Sequence, residues 1–149
     1  MDYQTNSKLK GFSLLEVIVV AALLAVFAGA IGPVYRVIQT KNNLDIAVAG
    51  SVSALRRAQA AAQSGNADSD WGVKLTATST IVFAGSSFSS RQSMYDEKLN
   101  FPGGILISGN SEIVFSKFSG TPQITGTTTL TSPFGSKDII LNGAGTINY

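Results

Sequence analysis

Lys10-Gly11-Phe12-Ser13-Leu14-Leu15-Glu16 is the stretch on which the reading of this chain turns. It puts one carboxylate near the start of an almost unbroken apolar run, and residues 17–35 contain no charge. At about 1.5 Å per residue that run spans roughly 28 Å as a helix, close to the hydrocarbon thickness of a bilayer. A carboxylate at the centre of such a span costs roughly 2.5–3.5 kcal/mol on insertion scales. A helix therefore carries Glu16 only for a reason.

An ordinary secretory signal has a basic start, a short apolar stretch and a small-x-small cleavage site after it. Lys8 and Lys10 supply the basic start. The apolar stretch is too long, and no small-x-small site ends it. The small residue, Gly11, lies before the run instead. A cut after Gly11 removes a short polar leader, keeps the helix on the product and leaves Glu16 near its first turn.

These residues resemble the class III signal of type IV prepilins and type II secretion pseudopilins. The likeness covers about the first 36 residues. It includes Pro33, preceded by Gly32 and followed by Tyr35, where these families often carry a helix-kinking proline. The resemblance implies that a membrane aspartic prepilin peptidase cuts between Gly11 and Phe12 and N-methylates the new Phe12 amine. It implies that Glu16 promotes entry into a fibre by pairing with the Phe12 amine of a neighbouring subunit. Further partners follow from it: other pilin or pseudopilin subunits and an inner-membrane assembly platform. The physics of charge burial agrees, because two buried charges are tolerated as a well-formed pair and leaving one unpaired is strongly unfavourable. In a free subunit Glu16 sits near the headgroups at modest cost.

Composition narrows the function classes. The chain has 149 residues, a net charge of +2, no cysteine and no histidine. One domain plus one anchor is the natural count. Lys8 and Lys10 keep the leader cytoplasmic under the positive-inside tendency, so the C-terminal part faces outward from the cytoplasmic membrane. A typical zinc site and a Cys/Ser–His nucleophile system are excluded. No cofactor and no metal are expected, and no catalytic constellation stands out. The small positive charge is no nucleic-acid footprint by itself.

The expected fold is α+β. A long N-terminal helix of residues 12–64 packs on a C-terminal antiparallel sheet or small sandwich, the arrangement of a type IV pilin-like fold. Val34, Ile38, Leu44, Val48, Val52, Leu55, Ala58 and Ala62 recur mostly at three- or four-residue steps, which predicts an amphipathic second half. Gly65-Asn66 predicts its stop. Gly32-Pro33 and Gly50 are candidate soft points. Four regions result: a leader 1–11, a transmembrane and fibre-core half-helix 12–35, an amphipathic half-helix 36–64, and an extracytoplasmic β domain 65–149. Strands are expected over 71–75, 80–84, 105–108, 112–118, 123–131, 138–141 and 146–149. Gly109-Asn110 and Asn142-Gly143 are expected turns.

The second half resembles, more weakly, the minor pseudopilin H family of type II secretion. The carriers are Leu55-Arg56-Arg57-Ala58, Trp71-Gly72-Val73, Ile81-Val82-Phe83, Ile113-Val114-Phe115 with Gly120, and Gly145-Thr146-Ile147. Trp71 is expected in the core. The serine-rich residues 85–93, with Phe88 and Arg91, are expected to form a mobile connection. The Thr-rich residues 125–131 are expected to be an exposed strand face. Asp68, Asp70, Asp96 and Glu97 have no compact calcium-loop spacing. The leading expectation is a structural fibre subunit. The alternative is a tip-located binding subunit for DNA uptake or surface adhesion, with Arg56, Arg57 and Arg91 as loose candidates. A basic, aromatic groove would separate the two.

Overall fold

The computed structural model describes residues 11–149, and the side chains of 30–34 lie outside that description. Lys8 and Lys10 fall outside it as well. One helix, α1 (Leu14–Gln63), is followed by a 3-10 turn and eight strands. Gly11, Phe12 and Ser13 precede α1 in non-helical backbone, so the helix starts two residues later than expected. It stops where Gly65 takes a left-handed conformation (φ 67°) and donates its N–H to the Ala62 carbonyl at 3.0 Å. Gly32 and Pro33 lie within α1, and their side chains are among those outside the description.

The chain divides into two compact units, Met1–Arg36 and Val37–Tyr149. In the second, the strands are β1 (Trp71–Leu75), β2 (Ser79–Ala84), β3 (Gln92–Asn100), β4 (Leu106–Gly109), β5 (Glu112–Phe115), β6 (Gly126–Ser132), β7 (Gly135–Leu141) and β8 (Ile147–Asn148). They form two four-stranded sheets, in the orders β3-β2-β1-β5 and β4-β6-β7-β8, and every pairing is antiparallel.

The α1 side chains Leu44, Val48, Val52, Leu55, Ala58 and Ala62 are buried in one cluster with Val73, Leu75, Phe115, Leu130, Ile139 and Leu141 from both sheets. Six positions of the expected stripe are therefore core. Ile38 is not; it is 54% exposed. The six-residue step from Ile38 to Leu44 breaks the helical period, so the two residues cannot share a face. Inside the core the Ser51 hydroxyl donates to the Ala47 carbonyl at 2.7 Å and meets the Thr80 hydroxyl at 3.0 Å, joining α1 to β2. Among the described residues no buried side-chain polar atom lacks a partner.

Three features differ from or add to the sequence expectations. Strand β3 is unannounced by periodicity, because it is an edge strand with almost every residue exposed and Asp96, Glu97 and Lys98 in succession. Gly109-Asn110 forms the expected turn between two strands, β4 and β5, but these do not pair with each other: β4 pairs with β6 and β5 with β1, so the turn carries the chain from one sheet to the other. The Asn110 amide donates to the Thr125 carbonyl at 3.2 Å and its carbonyl accepts the Thr128 hydroxyl at 2.7 Å, pinning the switch.

The third concerns residues 85–93, expected as a mobile connection: residues 85–91 pack on the fold, and Gln92 and Ser93 begin β3. Phe88 stands edge-on to Phe83, centroids 5.5 Å apart, and its N–H donates to Glu112 Oε1 at 2.8 Å. Arg91 lies 3.8 Å over the Phe88 ring and binds both Asp96 oxygens, at 3.1 and 2.8 Å. The fully buried Phe83 is outside the main cluster, so this loop covers the other face of the first sheet. Gly72 makes room for it: a Cβ there would come within 2.5 Å of the Phe83 ring.

Candidate functional site

The expected processing segment, Gly11 to Glu16, is exposed at every position. Its backbone leaves the helix at Ser13, whose hydroxyl accepts the Glu16 N–H at 3.2 Å and whose carbonyl accepts the Val17 N–H at 3.2 Å. Ser13 is thus the N-cap, three residues before Glu16, which is the spacing of a capping box. The motif-based expectation passes over Ser13. The Ser-x-x-Glu pattern ahead of an apolar run is the sequence signal that finds it. The consequence for chemistry is positional. The Gly11–Phe12 amide stands in open, non-helical backbone, the form a peptidase needs.

Among the described residues nothing requires glycine at position 11. A Cβ built there meets nothing within 4 Å, and its φ is not in the left-handed region. That separates it from Gly65, where a Cβ would come within 2.5 Å of the Phe118 ring and φ is 67°. If a side chain at position 11 is harmful, the objection comes from another molecule.

Glu16 lies on the open face of α1 that Phe12, Val20 and Leu24 also line, at four-residue steps. Its backbone N–H serves the cap. Its carboxylate makes no ion pair among the described residues. The large apolar side chains around it are about half uncovered or more; Val20 is 49% exposed, Phe12 83%, Leu14 81% and Phe27 66%. A lone carboxylate on an uncovered apolar helix is a surface awaiting a partner that can bury the apolar side chains and supply a cation.

Residues 6–32 match the family model of the prokaryotic N-terminal methylation motif. The match takes in residues 6–10 of the expected leader, Gly11, Phe12, the Ser13 cap and Glu16, and ends at Gly32. No curated protein and no solved structure matches the chain. Among the described residues no helix is long and apolar enough to cross a membrane. The uncharged run 17–35 includes positions 30–34, whose side chains lie outside the description.

The loose candidates for nucleic-acid contact are engaged within the chain. Arg57 pairs with Glu97 at 2.5 Å, Arg91 with Asp96 at 2.8 Å, and Arg56 lies 5.8 Å over the Tyr149 ring. The acidic residues are taken up too. Asp68 pairs with Lys117, and Asp70 Oδ1 accepts the Lys117 N–H at 2.8 Å. Among the described residues no group of three or more acidic side chains gathers as a metal site. Trp71 is buried at 7% exposure and donates its indole N–H to the Asn66 carbonyl at 2.8 Å.

Proposed function

We propose that this chain is a structural subunit of a pilin-type fibre, made as a prepilin. Prepilin peptidase hydrolyses the Gly11–Phe12 amide, releases residues 1–11 and methylates the freed Phe12 amine. Residues 12–35 hold the subunit in the cytoplasmic membrane with the β domain outside. An assembly platform then extracts it into a type IV pilus or a type II secretion pseudopilus. The observation that carries this is the methylation-motif match over residues 6–32.

The geometry supports the cleavage and the pairing. Among the described residues nothing requires glycine at position 11, and the bond after it is open. Glu16 offers a carboxylate without an ion pair among the described residues, four residues after Phe12 on a face of apolar side chains. In a bundle of such helices, the amine of one subunit answers the carboxylate of the next while the apolar side chains cover one another. In this reading the chain is the substrate of the peptidase and afterwards works as a building block.

A role as a minor, pseudopilin H-like subunit is supported by three of the segments that carry that likeness. They lie in β1, β2 and β5 of the same sheet.

The test is N-terminal mass spectrometry of the protein from its native membrane. A chain beginning at N-methylated Phe12 is expected. An intact Met1, or a cut beyond the apolar run, refutes the proposal.

A further inference from the structure

The second unit has an end through which the chain enters, at Val37, and one exposed feature there remains unused by fibre assembly. Strands β6 and β7 join through a two-residue turn, Pro133-Phe134, and that turn packs against the first turns of α1 in this unit. An open groove of about 300 Å3 lies between them, lined by Lys41, Leu44, Asp45, Phe134 and Lys137 among others. Phe134 is 48% exposed at the turn's tip. Lys137 Nζ meets Asp45 Oδ1 at 2.8 Å, a pair close to half exposed on both sides. Lys41 is exposed and makes no ion pair among the described residues. The groove therefore carries a single positive charge in excess beside an uncovered aromatic ring, short of the basic, aromatic groove that would mark a nucleic-acid-binding subunit.

We propose that this groove docks the unit on the anionic phospholipid headgroups of the membrane that holds the subunit. The proposal rests on the anchoring of residues 12–35 put forward above. Position and chemistry both favour lipid as the occupant. Lys41 follows Tyr35, the last residue of the uncharged run, by six residues, so the chain itself keeps the two within about 20 Å whatever the course of the backbone between them. The headgroup layer on each side of the hydrocarbon is about 5–8 Å thick, and a lysine stem extends toward it. An aromatic ring next to lysine suits that layer, since the ring sits at the headgroup level while the ammonium meets phosphate. A docked unit is held at the membrane surface. Entry into a fibre must break this contact, so it sets a threshold that keeps waiting subunits in the bilayer.

The absence of cysteine allows single-cysteine probes in the full chain. Ser136→Cys reports the groove and leaves Phe134 in place. Ser119→Cys reports the opposite end, beside the close approach of Gly120 to Gln63. Leu23→Cys reports the anchor. Each is labelled with an environment-sensitive fluorophore in nanodiscs of phosphatidylcholine, with or without phosphatidylglycerol, containing headgroup-level quencher lipids. The expected result is quenching at 136 but not at 119, stronger with phosphatidylglycerol. Lys41→Gln should lower the docked-to-undocked ratio about fivefold, the worth of one basic residue at an anionic surface. A probe at 136 no more quenched than 119, while 23 lies deep, overturns the proposal alone. A probe at 23 outside the bilayer overturns the anchor and the proposal together. Shielding at 136 that rises with protein copies per disc, indifferent to phosphatidylglycerol, assigns the groove to a second copy and also overturns it.

Discussion

Replacing Glu16 by alanine isolates the carboxylate from the cap. The bond that starts α1 uses the Glu16 backbone N–H, donated to the Ser13 hydroxyl, so alanine keeps it. The carboxylate has no ion pair within the described chain, so its loss breaks none there. The precursor should therefore fold, insert and be cut after Gly11 at close to the normal rate. The deficit should fall on assembly. In a fibre the Phe12 amine of the adjoining subunit would be left buried without its partner, which costs about 3–5 kcal/mol. That corresponds to a loss of roughly 100-fold to several thousand-fold in incorporation. Glutamine should fare little better, since it offers a dipole where a charge is needed. The assay is immunoblotting of sheared fibres against the membrane pool, with the N-terminus of each read by mass spectrometry. Glu16→Ala protein that is cut, methylated and found in fibres at the normal ratio would refute the pairing. So would a variant that fails at cleavage, because the carboxylate would then serve the peptidase.

Gly11→Leu should block cleavage without lowering the stability of the folded chain, because a Cβ there meets nothing within 4 Å; a precursor of unchanged thermal midpoint and intact N-terminus is the expected pair of readings. Ser13→Ala should cost about 1 kcal/mol of helix stability at the N-terminus; faster amide hydrogen exchange at Glu16 and Val17, with later residues unaffected, would register it. Phe88→Ala removes the edge contact to Phe83 and the Arg91 stacking, together about 2 kcal/mol. Denaturant unfolding followed by Trp71 fluorescence measures it, and a change under about 0.5 kcal/mol, the size of an ordinary surface substitution, would return residues 85–91 to the status of a mobile connection.

How much could be read in advance depended on whether the deciding interaction was local. The helix stop at Gly65 and the Asn142 turn were legible, since both are made by adjacent residues. Asn142 Oδ1 accepts the N–H groups of Ala144 and Thr146, and Gly145 takes φ 79°. The stripe from Leu44 to Ala62 was legible because the helix repeats a period over many turns. Strand β3 was not. Tyr95 meets Trp71 edge-on at 6.0 Å, and Leu99 approaches α1 where Gly50 has no side chain, yet the charges between them hide the alternation. Gly109-Asn110 reads as a turn in sequence, but which strands it separates is decided by Thr125 and Thr128, far along the chain. The serines of residues 85–91 suggested solvent, while Phe88 and Arg91 were the informative residues.

The N-terminal segment differs from the rest of the chain in where its residues find their reasons. Gly72 is glycine for Phe83, Gly65 for Phe118, and Ser51 is serine beside Thr80. Each is explained by a neighbour within the fold. Gly11, the Glu16 carboxylate and the uncovered side chains from Phe12 to Phe27 have no such neighbour among the described residues. Yet apolar side chains that stay in water and a charge set among them are costly to leave unpartnered. Under the function proposed above, the partners that answer this cost are lipid or sister helices on the apolar face and a cation for the acid. The matched motif covers this same segment and stops at Gly32, before the part of the chain that accounts for itself.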